Sequence, residues 1–184
     1  MAEESERRLL EVFKQHALLR GEFTLASGAK SSYYFDGRMI TLLPEGAYLV
    51  AKEIFQLLAG EVDAIGGLTL GADPIVAAVA VVSHLEGQPI PAFIVRAEVK
   101  KHGTQKKIEG HLPGGGRVAI VEDVITTGGS VFAAIEAVEA EGCQVVKVIA
   151  LLDRHQGGSD KLREMGYDFA ALLSADASGE VTLG

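Results

Sequence analysis

Strand-length apolar runs alternate with helix-length segments from Leu43 onward, and no other feature constrains the fold as strongly. The strand-like runs are DAIGGL, IPAFIVR, VAIVED, CQVVKVIALLD and YDFAALL. The helix-like segments are LPEGAYLVAKEIFQLLAG, ADPIVAAVAVVSHLEG, GSVFAAIEAVEAEG and SDKLREMG. Such alternation builds βαβ units, and continuously apolar strands are typical of strands buried on both faces. The sequence therefore predicts an α/β fold with a central, mostly parallel sheet flanked by helices.

Composition narrows the class of protein further. A length of 184 residues favours one domain spanning 1–184, and a hydrophobic fraction of 48% with 6% aromatics suits helices packed on a buried sheet. The formal net charge of −8 disfavours general attraction to nucleic acid. The single cysteine, Cys143, excludes an intrachain disulfide and is expected in the core.

Nothing in the sequence resembles a targeting signal or a membrane span. The N-terminal segment is acidic and amphipathic, whereas a signal peptide begins with basic residues and continues into an apolar core. The longest apolar run, Ile75–Val82, is less than half the length of a membrane span. We therefore expect a cytoplasmic protein with neither a membrane nor a nucleic acid as partner.

Two segments lie outside the alternating pattern. Apolar residues at helical spacing predict an amphipathic helix over Glu3–Leu19, closed by Gly21, and the following Ser-, Gly- and aromatic-rich stretch predicts short strands and turns. Together they form a small N-terminal element of about 40 residues. A second segment, Arg96–Gly116, is polar and lacks an apolar period, which is typical of a functional lid or a disordered loop.

The stretch RVAIVEDVITTGGSVF, Arg117–Phe132, carries the chemistry. Ligands of open α/β sheets bind beyond the carboxyl ends of the strands, which is where Glu122 and Asp123 are expected. The following threonines, glycines and serine open a helix, so that backbone N–H groups, the helix dipole and hydroxyls can hold a phosphate. The two acids can accept hydrogen bonds from a ribose diol or hold a hydrated Mg²⁺. Together these residues indicate a sugar phosphate.

A plainer interpretation is a strand that ends in solvated acids, followed by a glycine-rich turn and a serine N-cap. Two other nucleotide-binding motifs are disfavoured. The stretch has no lysine of the GxxxxGK[ST] phosphate loop and no GxGxxG order.

Three separated motifs resemble a known family. VAIVEDVITTGGS is similar to the phosphoribosyl diphosphate (PRPP) signature of type I phosphoribosyltransferases. FTLASGAKSSYYFDGR resembles the N-terminal hood of the orotate phosphoribosyltransferases within that family, and VRAEVKKHGTQKKIEG resembles their mobile catalytic loop. With LDRHQGG, the resemblance runs from about Gly21 to Gly158. It implies the type I phosphoribosyltransferase fold, with a hood mainly from about 1–40 and a mobile loop at about 97–110.

The resemblance also implies a reaction: orotate and PRPP give orotidine 5′-monophosphate and pyrophosphate, with Mg²⁺ carried by PRPP and no direct metal ligand from the protein. Orotate would be bound by Thr126, Arg154 and Lys30, together with the backbone near Tyr34 and Phe35. The residues implied to bind PRPP are Arg96, Lys100, Lys101, His102, Glu122, Asp123, Val124, Ile125, Thr126, Thr127, Gly128, Gly129 and Ser130. Those implied to act in catalysis are Lys100, Arg96, His102 and Asp123.

In the family the mobile loop reaches into the neighbouring subunit's site, so the resemblance implies a homodimer with shared active sites. The chain departs from the family pattern at Ala97, where many members carry a lysine, and at Asp73, where some members carry one. Asp73 is instead expected to cap the helix that begins at Pro74. Backbone N–H groups at Leu70–Ala72 are expected to bind pyrophosphate directly.

Two other functions are compatible with the PRPP signature. One is a phosphoribosyltransferase for a purine or uracil, which would not account for the hood-like segment or for Arg154 facing an acidic base. The other is a PRPP-sensing regulator without catalysis, which would need a basic surface or an added DNA-binding module.

Overall fold

The computed structural model describes residues 2–24, 30–58, 60–98 and 106–184. Its elements, in chain order, are α1 (Ala2–His16), β1 (Leu18–Thr24), β2 (Lys30–Phe35), α2 (Arg38–Thr41), α3 (Pro44–Leu58), β3 (Ala64–Leu68), α4 (Asp73–Leu85), β4 (Ala92–Val95), β5 (Ile108–Gly110), β6 (Arg117–Ile125), α5 (Gly129–Ala140), β7 (Gln144–Asp153), α6 (Gly158–Glu164), β8 (Phe169–Ala175) and β9 (Val181–Leu183). No helix within these ranges is both long enough and apolar enough to cross a membrane.

The central sheet has seven strands in the order β5-β4-β3-β6-β7-β8-β9. The pairings between β4, β3, β6, β7 and β8 are parallel, whereas β5 and β9 pair antiparallel at the two edges. This confirms the α/β fold with a mostly parallel sheet. Strand order reverses between β3 and β6, because β4 lies on one side of β3 and the strands after β6 extend away on the other.

Helices cover both faces of the sheet. On β6, Ala119 and Val121 join a core cluster that includes residues of α1, α3 and α4. The alternate positions, Val118 and Ile120, join a second cluster that includes residues of α5 and α6. Successive side chains of a strand point to opposite faces, so a strand that is apolar at every position is buried on both.

The N-terminal segment differs from the prediction at one boundary. The first helix ends at His16, and Leu18 and Leu19 lie in β1 rather than in the helix, so the boundary predicted at Gly21 is wrong. β1 pairs antiparallel with β2, and Leu18 and Leu19 oppose Phe35 and Tyr34 in that pairing. The backbone hydrogen bonds of this two-stranded sheet outweigh the helical spacing of the two leucines.

Two edge strands were missing from the sequence-based assignment. β5 lies within the polar segment Arg96–Gly116 and pairs with β4, while β9 pairs with β8 near the end of the chain. Both are three residues long. Strands so short carry too little apolar pattern to be recognised from sequence.

Candidate functional site

A cleft of about 550 Å³ opens where the carboxyl ends of β3 and β6 diverge. This is the point of the sheet at which strand order reverses, and open α/β sheets bind their ligands there. The hood contributes to the wall through the end of β2 and the start of α2. The lining residues are Tyr34, Phe35, Asp36, Gly37, Arg38, Leu68, Thr69, Leu70, Gly71, Glu122, Asp123, Val124, Thr126, Thr127, Ser130, Arg154 and Gln156.

Glu122 is a buried carboxyl group at the floor of this cleft. Its side chain is 7% exposed, its Oε1 accepts a bond from the backbone N–H of Asp123 at 3.3 Å, and its Oε2 has no hydrogen-bond partner. Burial, and after it the neighbouring charge of Asp123, together raise the pKa of Glu122 to about 9. Glu122 therefore holds a proton at neutral pH and can donate as well as accept a hydrogen bond. The interpretation of this pair as solvated strand-end acids is wrong for Glu122.

Asp123 is held where the hood meets the loop after β3. A Cβ added at Gly37 would lie 2.9 Å from Cβ of Asp123, and one added at Gly71 would lie 2.5 Å from its Oδ1. Oδ1 also accepts a hydrogen bond from the backbone N–H of Val124 at 2.8 Å. Two glycines thus let separate backbone segments approach one carboxylate closely, which fixes its position in the cleft.

The turn after β6 has the geometry of an anion site. Gly128 has φ of 85°, in the left-handed region that favours glycine, and is the N-cap of α5, with no side-chain cap. The N–H groups of the first helical turn are therefore open to a ligand, and the helix dipole favours a negative charge there. The serine N-cap of the plainer interpretation is wrong, since α5 begins at Gly129 and Ser130 lies inside the helix.

A second backbone segment supports this turn from behind. The N–H of Gly158 donates to the carbonyl oxygen of Thr126 at 2.9 Å. A Cβ at Gly158 would lie 2.6 Å from that oxygen and 2.8 Å from the nitrogen of Gly128. The start of α6 therefore packs directly against the turn after β6.

Arg154 forms the opposite end of the cleft. Its backbone N–H donates to the carbonyl oxygen of Ile125 at 3.1 Å, which joins it to the end of β6. Its guanidinium carbon lies 5.2 Å from the ring centroid of Tyr33 and 5.6 Å from that of Phe35. These distances are within the range of cation–π attraction. Its Nε is buried with no partner, so the guanidinium can still donate to an acidic ligand.

The loop after β3 completes the cleft. The side chain of Asp73 accepts a hydrogen bond from Oγ1 of Thr69 at 2.6 Å. The expectation that Asp73 caps a helix beginning at Pro74 is wrong, because α4 begins at Asp73, its N-cap is Ala72 and there is no side-chain cap bond. The N–H of Ala72 is bonded to the carbonyl oxygen of Leu68 at 3.3 Å and is therefore already occupied.

The structure brings some of the sequence-predicted residues together and leaves others apart. Thr127, Thr126 and Val124 line the cleft, and Ile125, Gly128 and Gly129 line a small adjoining recess. Lys30 begins β2 with an exposed side chain and is not among the lining residues. Arg96 is not among them either, and its Nε is 2.7 Å from Oε1 of Glu109. Lys100, Lys101 and His102 lie outside the described residues.

Some lining residues had no role in the sequence analysis. Arg38, Asp36 and Gln156 occur within the family-like motifs, and no signal beyond that placement marked them as wall residues. Within the ranges that the structure describes, no group of three or more histidine, cysteine or acidic side chains is arranged to hold a metal ion.

Comparison with known proteins agrees with this geometry. A family model described as "Phosphoribosyl transferase domain" matches residues 43–165. An orotate phosphoribosyltransferase of Nostoc sp. is 47% identical over 169 residues, covering 91% of this chain and 82% of that protein. A crystal structure of Mycobacterium tuberculosis orotate phosphoribosyltransferase in complex with Fe(III) dicitrate superposes with a TM-score of 0.82 at 37% identity, covering 92% of this chain and 96% of the other. The same enzyme in complex with PRPP gives a TM-score of 0.78 at 35% identity, with the same coverage.

Proposed function

This chain belongs to the phosphoribosyl transferase domain family, and from that membership we propose that it transfers the phosphoribosyl group of PRPP to orotate, giving orotidine 5′-monophosphate and pyrophosphate. One observation carries the proposal: a single cleft joins an open helix N-terminus, two adjacent carboxyl groups and an unsatisfied arginine. These groups match the phosphate, the ribose and the acidic base of the reactants. Relatives named orotate phosphoribosyltransferase support the choice of base.

The 5′-phosphate occupies the turn Thr126–Ser130 in this proposal. Backbone N–H groups of the first turn of α5 donate to the phosphate oxygens, and the threonine and serine hydroxyls add further bonds. Gly158 holds the turn in place from behind. Removing water from this pocket strengthens each of these bonds.

The ribose lies over the acid pair. Asp123, fixed between Gly37 and Gly71, accepts a hydrogen bond from one hydroxyl of the diol. Glu122 is protonated at neutral pH, so it can donate to the second hydroxyl or accept from it. The acids thereby hold the sugar on the opposite side from the phosphate turn without placing a second full charge in the cleft.

Orotate enters between Arg154 and the hood. Its carboxylate pairs with the guanidinium, whose Nε lacks an acceptor, while Tyr33 and Phe35 hold the side chain in place. A ring nitrogen of orotate then forms the new bond to the anomeric carbon as the bond to the pyrophosphate oxygen breaks, and the proton of that N–H passes to the departing pyrophosphate. The protein's task is to orient the two reactants and to stabilise the departing pyrophosphate.

Lys100, Lys101 and His102 are proposed as the donors that close over pyrophosphate, together with Arg96. A lid of this kind excludes water from an oxocarbenium-like state and reopens for product release. Mg²⁺ is proposed to arrive bound to PRPP, whose phosphate and ribose oxygens suit this hard cation. Asp123 lines the cleft and is compatible with a hydrated cation beside the ribose, and the cation would neutralise part of the diphosphate charge.

An assay with PRPP, Mg²⁺ and each candidate base tests the proposal. Orotate should be consumed, with release of pyrophosphate, while adenine, guanine and uracil are not. Arg154→Gln should raise the KM for orotate by roughly tenfold or more, since a charge-assisted pair is lost, and should leave the KM for PRPP nearly unchanged. Turnover of a purine or of uracil but not orotate would replace this proposal with the alternative base. Salt-sensitive DNA or RNA binding without transferase activity would favour a regulator.

A homodimer with shared sites is part of the proposal. The segment around α2 and α3 exposes several large apolar side chains, among them Met39, Leu42 and Tyr48, and Leu42 is 70% exposed. A cluster of this kind suits a protein–protein contact. Mixing the Lys100→Ala and Asp123→Ala variants should restore part of the activity when each site takes its loop from the partner. No recovery after demonstrated subunit exchange would exclude sharing. Cytoplasmic location remains a prediction.

A further inference from the structure

The cleft contains few positive charges for a ligand as anionic as PRPP. Among the lining residues that the structure describes, the arginines and lysines are Arg38 and Arg154. Arg154 stacks on Tyr33 and Phe35 at the end proposed for the base. Arg96 pairs with Glu109 and is not among the lining residues. Arg38 is therefore the described cation available to the other end of the cleft.

The residues around Arg38 place it next to the position proposed for the ribose and next to the loop after β3. The preceding residue, Gly37, and Gly71 both approach Asp123, since an added Cβ would lie 2.9 Å and 2.5 Å from its nearest atom, so the start of α2 and the loop after β3 meet at one carboxylate. The charge of Asp123 also raises the pKa of Arg38, although the hydrogen bonds to Asp36 raise it more. A diphosphate attached to a ribose held by Asp123 would extend along these two segments.

Asp36 orients the Arg38 side chain without using all of its donors. Nε of Arg38 donates to Oδ1 of Asp36 at 2.9 Å, and one terminal nitrogen, Nη2, donates to Oδ2 at 3.2 Å. The other terminal nitrogen has no partner among the described residues. A guanidinium carries five N–H donors in a fixed fork, so several remain for a second anion. The side chain of Arg38 is 44% exposed, which leaves it accessible from the cleft.

We propose that Arg38 binds the diphosphate group of PRPP, and equally the pyrophosphate product, through the guanidinium donors that Asp36 leaves open. The inference rests on the proposed function and adds a residue to it. It provides a positive charge beside Gly71, in the loop that leads from β3 to Asp73. Asp36 accepts bonds from two of the guanidinium nitrogens, so its negative charge competes with the ligand for Arg38.

Direct binding of inorganic pyrophosphate with Mg²⁺, measured by calorimetry, tests Arg38 without turnover. Arg38→Gln should weaken pyrophosphate binding and raise the KM for PRPP by roughly tenfold or more, as expected for loss of a charge-assisted bond, while the KM for orotate changes less than about twofold. The pyrophosphate affinity of Arg38→Lys should lie between those of the wild type and Arg38→Gln, because lysine keeps the positive charge but lacks the planar guanidinium fork. Arg8→Gln is the matched control, since Arg8 is also an exposed arginine paired with a carboxylate, that of Glu45, and lies outside the cleft. It should leave pyrophosphate affinity unchanged.

Asp36→Asn separates ligand binding from a structural role. Asp36→Asn removes a competing negative charge, so the affinity of this variant for pyrophosphate should be unchanged or slightly higher. The affinity of Arg38→Gln should fall. Equal losses in Arg38→Gln and Asp36→Asn would show that the ion pair only shapes the hood, and would overturn the inference. So would unchanged affinity in Arg38→Gln. A wild-type chain that neither binds PRPP nor consumes orotate would instead refute the proposed function.

Discussion

In the absence of ligand, the Glu122→Gln variant should become more stable relative to the wild type as the pH rises. Burial and the charge of Asp123 raise the pKa of Glu122 from 4.5 to about 9 in the folded state. Unfolding then releases a proton at any pH between these two values, so stability falls as pH increases across that interval. Each pKa unit corresponds to about 1.4 kcal/mol, which places the cost at about 3 kcal/mol at pH 7. Glutamine has nearly the same shape and no proton to release, so the free energy of unfolding of the variant does not fall with pH in this way.

Urea unfolding at several pH values measures the effect. The difference in free energy of unfolding between Glu122→Gln and wild type should shift by about 4 kcal/mol in favour of the variant from pH 5 to pH 8, since that range lies mostly within the interval. Taking the difference removes the contribution of other titrating groups that the two proteins share. The m-values should agree, as the surface exposed on unfolding is the same.

Glu45→Gln is a matched control with the opposite pKa shift. The Arg8 hydrogen bond lowers the pKa of Glu45 below its ordinary value of 4.5. Its stabilising contribution is present above that value and is lost only as the pH falls through the lowered pKa, so its difference from wild type should stay flat between pH 5 and pH 8. A flat difference for Glu122→Gln as well would refute the assignment of a protonated, buried Glu122.

Other substitutions test the packing around the site. Gly158→Ala would place a Cβ 2.6 Å from the carbonyl oxygen of Thr126, so the KM for PRPP should rise by roughly tenfold as the turn shifts, whereas Gly114→Ala, with nothing within 4 Å, should change nothing. Phe13→Ala removes a fully buried ring and should lower the free energy of unfolding by about 3–5 kcal/mol in urea titrations; a loss below 1 kcal/mol would contradict its burial. Lys14→Ala breaks an ion pair whose lysine is 40% exposed, and thermal unfolding should show a cost of no more than about 1 kcal/mol.

Much of the sheet was predictable because its strands carry strong local signals. The runs 118–121 and 148–152, which include Ile120 and Ile149, are apolar at every position, and this pattern is typical of strands buried on both faces. Helices such as α4 and α5 combine a preceding glycine or a proline start with sustained apolar content. Local sequence therefore specified the central elements and their order.

Features that depend on contacts between distant segments were not predictable. The spacing of Leu18 and Leu19 alone predicts a helix, and only the pairing of β1 with β2 places these residues in a strand. The position of Asp73 before Pro74 predicts a helix cap, whereas its side chain instead accepts a hydrogen bond from Thr69. In the site, the motif identified Glu122 and Asp123, but the burial that protonates Glu122 arises from packing and not from its neighbours in the chain. Arg38 enters the cleft wall only because the hood folds over the end of β6.

The contact between Tyr33 and the end of the chain has a consequence for biosynthesis. The Tyr33 hydroxyl donates to the carbonyl oxygens of Asp176 and Ala177, and its ring packs against Gly179. The same ring supports Arg154. These partners follow Tyr33 by more than 140 residues, so a nascent chain on the ribosome exposes the turn after β6 before it exposes the segment that fixes Tyr33 beneath Arg154. Under the proposed function, the end of the cleft assigned to the base would gain its support after the end assigned to the phosphate.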